Sequence, residues 1–115
     1  MNYRLVISLV FSLVLIGCDK VTEEKVITIH CCETYTYDFN ISGDEEGAVI
    51  KQQAKHYELS ELVRDSSTNW SVVYRYTPEK GYTGEDYVEI ETCTGGEGIA
   101  CSEIGIVSIR FNIIP

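Results

Sequence analysis

Basic residues are the first shortage in this sequence. Nine Lys and Arg stand against 18 Asp and Glu in 115 residues, a formal charge of −9. Nucleic-acid binding needs clustered cations that displace counterions from phosphate, so this balance excludes nucleic acid as a partner. It also disfavours direct electrostatic adhesion to an anionic membrane. Histidine is nearly as scarce, with His30 and His56 as its two instances. Neither sits in a nucleophile elbow, a Cys/His signature or a His-Glu-x-x-His helix, the arrangements that activate a nucleophile or a metal-bound water. Carboxylate pairs arise by chance among 18 acids, so a glycosidase reading has no anchor. The chain is read as a non-enzyme without a cofactor. Long amphipathic helical patterns, internal repeats and low-complexity tracts are all missing. The one sustained apolar run, Leu5 to Ile16, is interrupted by Ser8 and Ser12. It falls short of the roughly 20 residues a membrane span needs.

That run has the length of a secretory h-region. It follows a short, weakly basic start and ends Leu15-Ile16-Gly17-Cys18. An apolar residue, a small residue and a cysteine in that order resemble the lipobox of bacterial lipoproteins. The resemblance implies cleavage before Cys18, acylation of Cys18 (palmitate among its acyl chains) and attachment to a membrane through that lipid. Two or more chains anchor stably, at about 0.8 kcal/mol per buried CH2. Residues 1–17 then form the signal peptide, 18–25 a charged tether and 26–115 the folded domain. The mature chain has 115 − 17 = 98 residues, enough for one small domain. Losing Arg4 with the signal makes its charge 8 − 18 = −10. Asp19 after the lipidated cysteine resembles an inner-membrane retention signal. Lys and acidic residues just downstream resemble a surface-export signal. The expected location is the bacterial cell envelope, with the outer membrane favoured on either its periplasmic face or the cell surface.

Apart from Cys18, the cysteines are Cys31, Cys32, Cys93 and Cys101. An even count in a short exported chain points to disulfides. Of three possible pairings, Cys93–Cys101 is expected, because the two bracket a short Gly-rich loop able to turn back as a hairpin. Cys31 and Cys32 are left free, vicinally linked or paired between molecules. Neighbours on a strand face opposite sides, which works against a bond between them.

Period-two alternation dominates the rest. Strands are read from Val26 to Cys31, from Tyr35 to Ile41, from Ala48 to Gln52, and from Trp70 to Tyr76 up to the break at Pro78. Two more run through Val88, Ile90 and Thr92 and through Val107, Ile109, Phe111 and Ile113. Ser66 to Asn69 reads as a turn. The stretch from Gln53 to Asp65 is open between a helical turn and an irregular crossover, since Leu59, Leu62 and Val63 carry helical spacing. Six or seven short strands with regular turns predict an all-β, antiparallel sandwich.

The segment Tyr74-Arg-Tyr-Thr-Pro-Glu-Lys-Gly-Tyr-Thr-Gly-Glu-Asp-Tyr-Val-Glu-Ile90 resembles the signature of bacterial immunoglobulin-like, cadherin-like repeats of the VCBS type, found in long adhesins. The match is strong from Tyr74 to Ile113 and weak before it. It implies a Greek-key sandwich of about seven strands, immunoglobulin-like, used for adhesion, spacing or protein contact. This chain departs from the pattern by carrying one module where the family carries tandem arrays, so a stalk role does not transfer. Within the signature, Gly81 and Gly84 allow the chain to cross between sheets, with positive φ at one of them. Asp86 is read as a clasp accepting backbone N–H groups, with Ca2+ ligation as its competing reading.

Other clusters have bland readings. His30-Cys31-Cys32 lacks zinc-finger spacing. Asp44-Glu45-Glu46 with Asp38 offers hard oxygen ligands without EF-hand spacing and reads as a solvated acidic turn. No metal site is assigned. Eight tyrosines exceed what a small core requires, and exposed Tyr suits recognition. The candidate binding surface is Tyr82 and Tyr87 together with the hairpin tip Gly95, Gly96, Glu97 and Gly98, for a protein or glycan partner. The function expected is a lipid-anchored module for adhesion, protein binding or envelope structure. The alternatives are a periplasmic accessory subunit of a membrane complex and a small enzyme or inhibitor.

Overall fold

A computed structural model describes residues 20–43, 46–95, 101 and 103–115. Cys18 and the lipobox lie outside the described residues. Seven strands run in chain order: β1 (Lys20–His30), β2 (Tyr35–Asp38), β3 (Gly47–Gln52), β4 (Tyr57–Val63), β5 (Val73–Pro78), β6 (Gly84–Thr94) and β7 (Glu103–Ile114). They form two sheets, ordered β1-β7-β6-β3 and β2-β5-β4. One 3-10 turn, Ser66–Thr68, joins β4 to β5. No helix among the described residues is long and apolar enough to cross a membrane.

The inner rows expected from alternation face each other across the sandwich. Val88 and Ile90 of β6, and Ile109 and Phe111 of β7, are fully buried against Tyr74 and Tyr76 of β5. Tyr76 and Phe111 stack at 3.9 Å with their planes 9° apart, and Tyr35 meets Phe111 edge-on. Aromatic stacking adds to the area these rings remove from water. Burial of the tyrosines is possible because their hydroxyls are satisfied. Tyr74 donates to Ser60 Oγ at 2.6 Å, and Ser60 in turn donates to Gln53. Among the described residues no buried side-chain polar atom is left unpartnered.

Four features differ from the sequence reading. The first is β1, which begins at Lys20 and runs parallel to β7; every other pairing is antiparallel. Residues 20–25, read as tether, therefore belong to the sheet. Charged residues are acceptable there because β1 is an edge strand, whose outer side faces water. Glu23 bridges Lys25 at 3.0 Å and accepts a long hydrogen bond from Tyr37.

Second, Gln53 to Asp65 holds a strand, β4. A register shift between Tyr57 and Leu59 marks a bulge, which breaks period two and imitates helical spacing. Third, β5 starts at Val73. Asn69 and Trp70 both have left-handed backbone (φ 54° and 62°), so Trp70 lies outside the strand and is 59% exposed. The fourth is β2, which stops at Asp38. Asn40 has φ 57° and donates its N–H to Asp38. Phe39 and Ile41 still pack inward from that loop.

Candidate functional site

The Pro/Gly corner between β5 and β6 builds the most developed site. Gly81 and Gly84 both adopt positive φ, 83° and 132°. At Gly84 the backbone favours glycine, and a Cβ would also press on the Tyr82 hydroxyl at 3.0 Å, which would have to give by a few tenths of an ångström. Tyr82 folds back over this corner. Its N–H donates to Glu79 O, its hydroxyl donates to Glu85 O at 2.7 Å, and its ring stacks on His56 at 4.0 Å with planes 6° apart.

Asp86 lies beneath, 6% exposed. Its carboxylate accepts from the backbone N–H groups of Lys55, His56 and Tyr87, each at 2.9 Å, and from the Tyr76 hydroxyl at 2.8 Å. One side chain thus ties β6 to the β3–β4 turn and to β5 in the opposite sheet. Four donors saturate it, which fits the clasp reading. Burial, then the hydrogen bond to Asp86, push the Tyr76 phenol well above its usual range. Tyr74 is pushed the same way, chiefly by burial.

A cavity of about 200 Å³ opens on this corner, lined by Gln52, Lys55, His56, Glu85, Asp86, Tyr87 and Arg110. Tyr87 and Arg110 face each other across the β6–β7 ladder. The guanidinium sits over the Tyr87 ring at 5.6 Å and within 3.8 Å of Glu85. His56 Nδ1 is 3.7 Å from Glu79. The lining therefore combines the Tyr87 ring, the Lys55 and Arg110 side chains, an imidazole and carboxylates, a mixture suited to a polar ligand with both hydroxyl and anionic groups.

Of the two tyrosines named from the sequence, Tyr87 lines this cavity, and Tyr82 stands beside it through its stack on His56. The hairpin tip does not join them. From Gly84 to Gly95 the chain runs the length of β6, about 35 Å at ~3.3 Å per residue. Gly95 is described, with φ 67°; Gly96, Glu97 and Gly98 lie outside the described residues. The hairpin is closed by the expected disulfide, Cys93–Cys101, with Cα atoms 5.4 Å apart. Asp44 and Glu45 of the acidic turn also lie outside. Among the described residues no group of three or more His, Cys, Asp or Glu is placed to hold a metal.

Sequence reasoning missed Lys55, His56 and Arg110. Lys55 and His56 reach the corner because Asp86 holds their backbone, a contact spanning 30 residues. The one available signal was Arg110, a basic residue at an outward position of β7 between the inward Ile109 and Phe111.

At the hairpin end, Arg64 gathers the loops. It donates to the carbonyls of Ser42, Gly43, Glu46 and Trp70 at 2.7 to 3.0 Å. A second cleft of about 220 Å³ lies between the sheets at this end, lined by Tyr37, Phe39, Ile41, Thr94 and Glu103 among others.

No protein-family model and no curated protein matches the chain. Solved structures do resemble it in part. A 2,6-sialyltransferase from Photobacterium sp. JT-ISH-224 aligns with a TM-score of 0.47 and 14% identity, over 82% of this chain and 18% of that one. An endo-fucoidan hydrolase of glycoside hydrolase family 107 aligns with a TM-score of 0.46 and 11% identity, over 84% of this chain and 13% of the hydrolase. This chain thus spans less than a fifth of either enzyme, and what it resembles is a small portion of each.

Proposed function

We propose that the chain is a lipid-anchored, exported immunoglobulin-like module that binds a protein or glycan in the bacterial cell envelope. The observation that carries this reading is the direction of the strands. β1 starts at Lys20, two residues after Cys18, at the end where β6 finishes and β7 begins. The aromatic and basic corner around His56, Tyr82, Tyr87 and Arg110 is at the opposite end. A lipid on Cys18 would set the hairpin end against the membrane and present the corner outward. Of the two surfaces singled out from the sequence, this favours Tyr82 and Tyr87 over the hairpin tip.

The strand order supports the immunoglobulin-like assignment. The third, sixth and seventh strands share one sheet and the second, fourth and fifth the other, the partition an immunoglobulin-like sandwich uses, while the first strand joins the sheet of the last and runs parallel to it. The Cys93–Cys101 disulfide fits a chain exported to an oxidising compartment. The net negative charge leaves membrane attachment to the lipid.

Two measurements test the reading. Cys18→Ala should move the mature protein from the membrane fraction to the soluble one; continued membrane fractionation refutes lipid anchoring. Cross-linking on intact cells should recover a partner with the native chain, and Arg110→Ala with Tyr87→Ala should reduce that recovery about tenfold or more, as loss of a hot-spot pair does. Unchanged recovery refutes the corner as the binding surface.

A further inference from the structure

The turn between β1 and β2 brings two thiols together. On a regular strand, adjacent side chains point to opposite faces. Here the chain leaves β1 at His30. Cys31 continues the ladder by donating its N–H to Ile114 O at 2.9 Å, and Glu33 N–H closes the turn on His30 O at 3.2 Å. Between them Cys32 adopts φ 78°, a left-handed conformation that a non-glycine residue with no local hydrogen-bonding side chain rarely holds. This inverts the direction of its side chain. The Cys31 and Cys32 Sγ atoms consequently sit 3.3 Å apart, and both thiols are free. Cys31 is half-buried and Cys32 exposed. Strained left-handed positions of this kind concentrate at functional sites.

We infer that Cys31 and Cys32 form a dithiol–disulfide centre that exchanges with disulfides of low-molecular-weight thiols. The exposed Cys32 thiolate attacks one sulfur of the incoming disulfide. A mixed disulfide forms on Cys32, and the first thiol leaves with a proton. Cys31 Sγ, already in contact, loses its proton and attacks Cys32 Sγ, expelling the second thiol. Two protein thiols are oxidised to one vicinal disulfide, and the incoming disulfide is reduced to two thiols. Adjacent Cα atoms are about 3.8 Å apart, below the usual spacing of bridged cysteines. The ring is therefore a strained, exposed bond of the labile class, unlike Cys93–Cys101 at 5.4 Å. The centre lies at the same end of the sandwich as the corner cavity, away from Lys20.

The test uses the mature chain carrying Cys18→Ser and otherwise wild type, so that Cys31 and Cys32 are its free thiols beside an intact Cys93–Cys101 bridge; it is incubated with oxidised glutathione, quenched with acid, and analysed by intact mass and peptide mapping. Wild type should lose two hydrogens, retain no glutathione, and carry the new bond within the one peptide that contains Cys31 and Cys32. Cys31→Ser should trap one glutathione on Cys32, and its far-UV spectrum should match wild type. Wild type that keeps glutathione on either sulfur, links two chains through them, or remains a dithiol at every ratio of oxidised to reduced glutathione overturns the inference.

Discussion

Asp86→Ala removes an acceptor shared by four donors in one buried place. A hydrogen bond to a charged group contributes about 1.5–3 kcal/mol, but the contributions around one atom pair do not add. Two compensations limit the loss. The Tyr76 hydroxyl keeps a second acceptor, His56 O at 3.0 Å, and the N–H of exposed Lys55 can turn to water. The His56 and Tyr87 N–H groups are left in poorer positions, and a cavity replaces the carboxylate. We expect a loss of about 3–4 kcal/mol, a large part of the 5–15 kcal/mol typical of such a domain. In melting temperature this is roughly 12–32 °C for a domain of this size. Asp86→Asn should lose somewhat less, because its carbonyl still serves one donor while its amide opposes another. Urea unfolding followed by far-UV circular dichroism is the appropriate assay. Fluorescence is a poor probe, since the single tryptophan, Trp70, is already 59% exposed. A double-mutant cycle with Tyr76→Phe should give a coupling of about 1 kcal/mol or more. An Asp86→Ala protein within about 1 kcal/mol of wild type, at unchanged slope on urea, would refute the clasp.

Three further outcomes follow from the same geometry. Cys93→Ala should cost about 2.5 kcal/mol by loop-closure entropy for a bridge of sequence separation 8, measured as a lower urea midpoint; an unchanged midpoint would show that the bridge adds nothing. Arg64→Lys should not rescue Arg64→Ala, because an ammonium cannot reach four carbonyls at once as the fork does; hydrogen exchange in the 39–43 and 64–72 segments should rise in both variants, and protection retained by Lys would contradict this. Tyr74 and Tyr76 have phenols raised above the free value near 10. Their stabilising contribution is fully present below that value and is lost as pH rises through the folded value. Phenolate absorbance should therefore include a late step that coincides with unfolding, and smooth titration of every tyrosine before unfolding would argue against their burial.

Much of the sandwich is legible in local pattern. Alternation in Val88–Ile90 and Val107–Ile113 names the inner rows because a strand has period two and one face must be dry. Gly81 and Gly84 announce the corner, and Asp86 its clasp, because these residue types solve a backbone problem at their own positions. Where the reading fails, the cause is non-local. Charged residues 20–25 become strand only because β7 offers them a parallel edge. β4 hides behind a bulge that β5 accommodates. Trp70 fits the alternation of β5 and is still excluded, because Asp65 O takes its N–H and the turn holds it left-handed.

The candidate site divides along the same line. By itself the sequence determined the strand faces, the cystine hairpin and an excess of tyrosine, since each depends on residue type and near-neighbour spacing. Only the tertiary structure decided which tyrosines share a surface. Tyr87 meets Arg110 through register, and His56 meets Tyr82 through a contact across the corner. The hairpin tip is separated from both by the length of β6. The sulfurs of Cys31 and Cys32 touch because one residue takes a positive φ. Register and backbone handedness at a turn are set by the pairing of distant strands, and no local period encodes them.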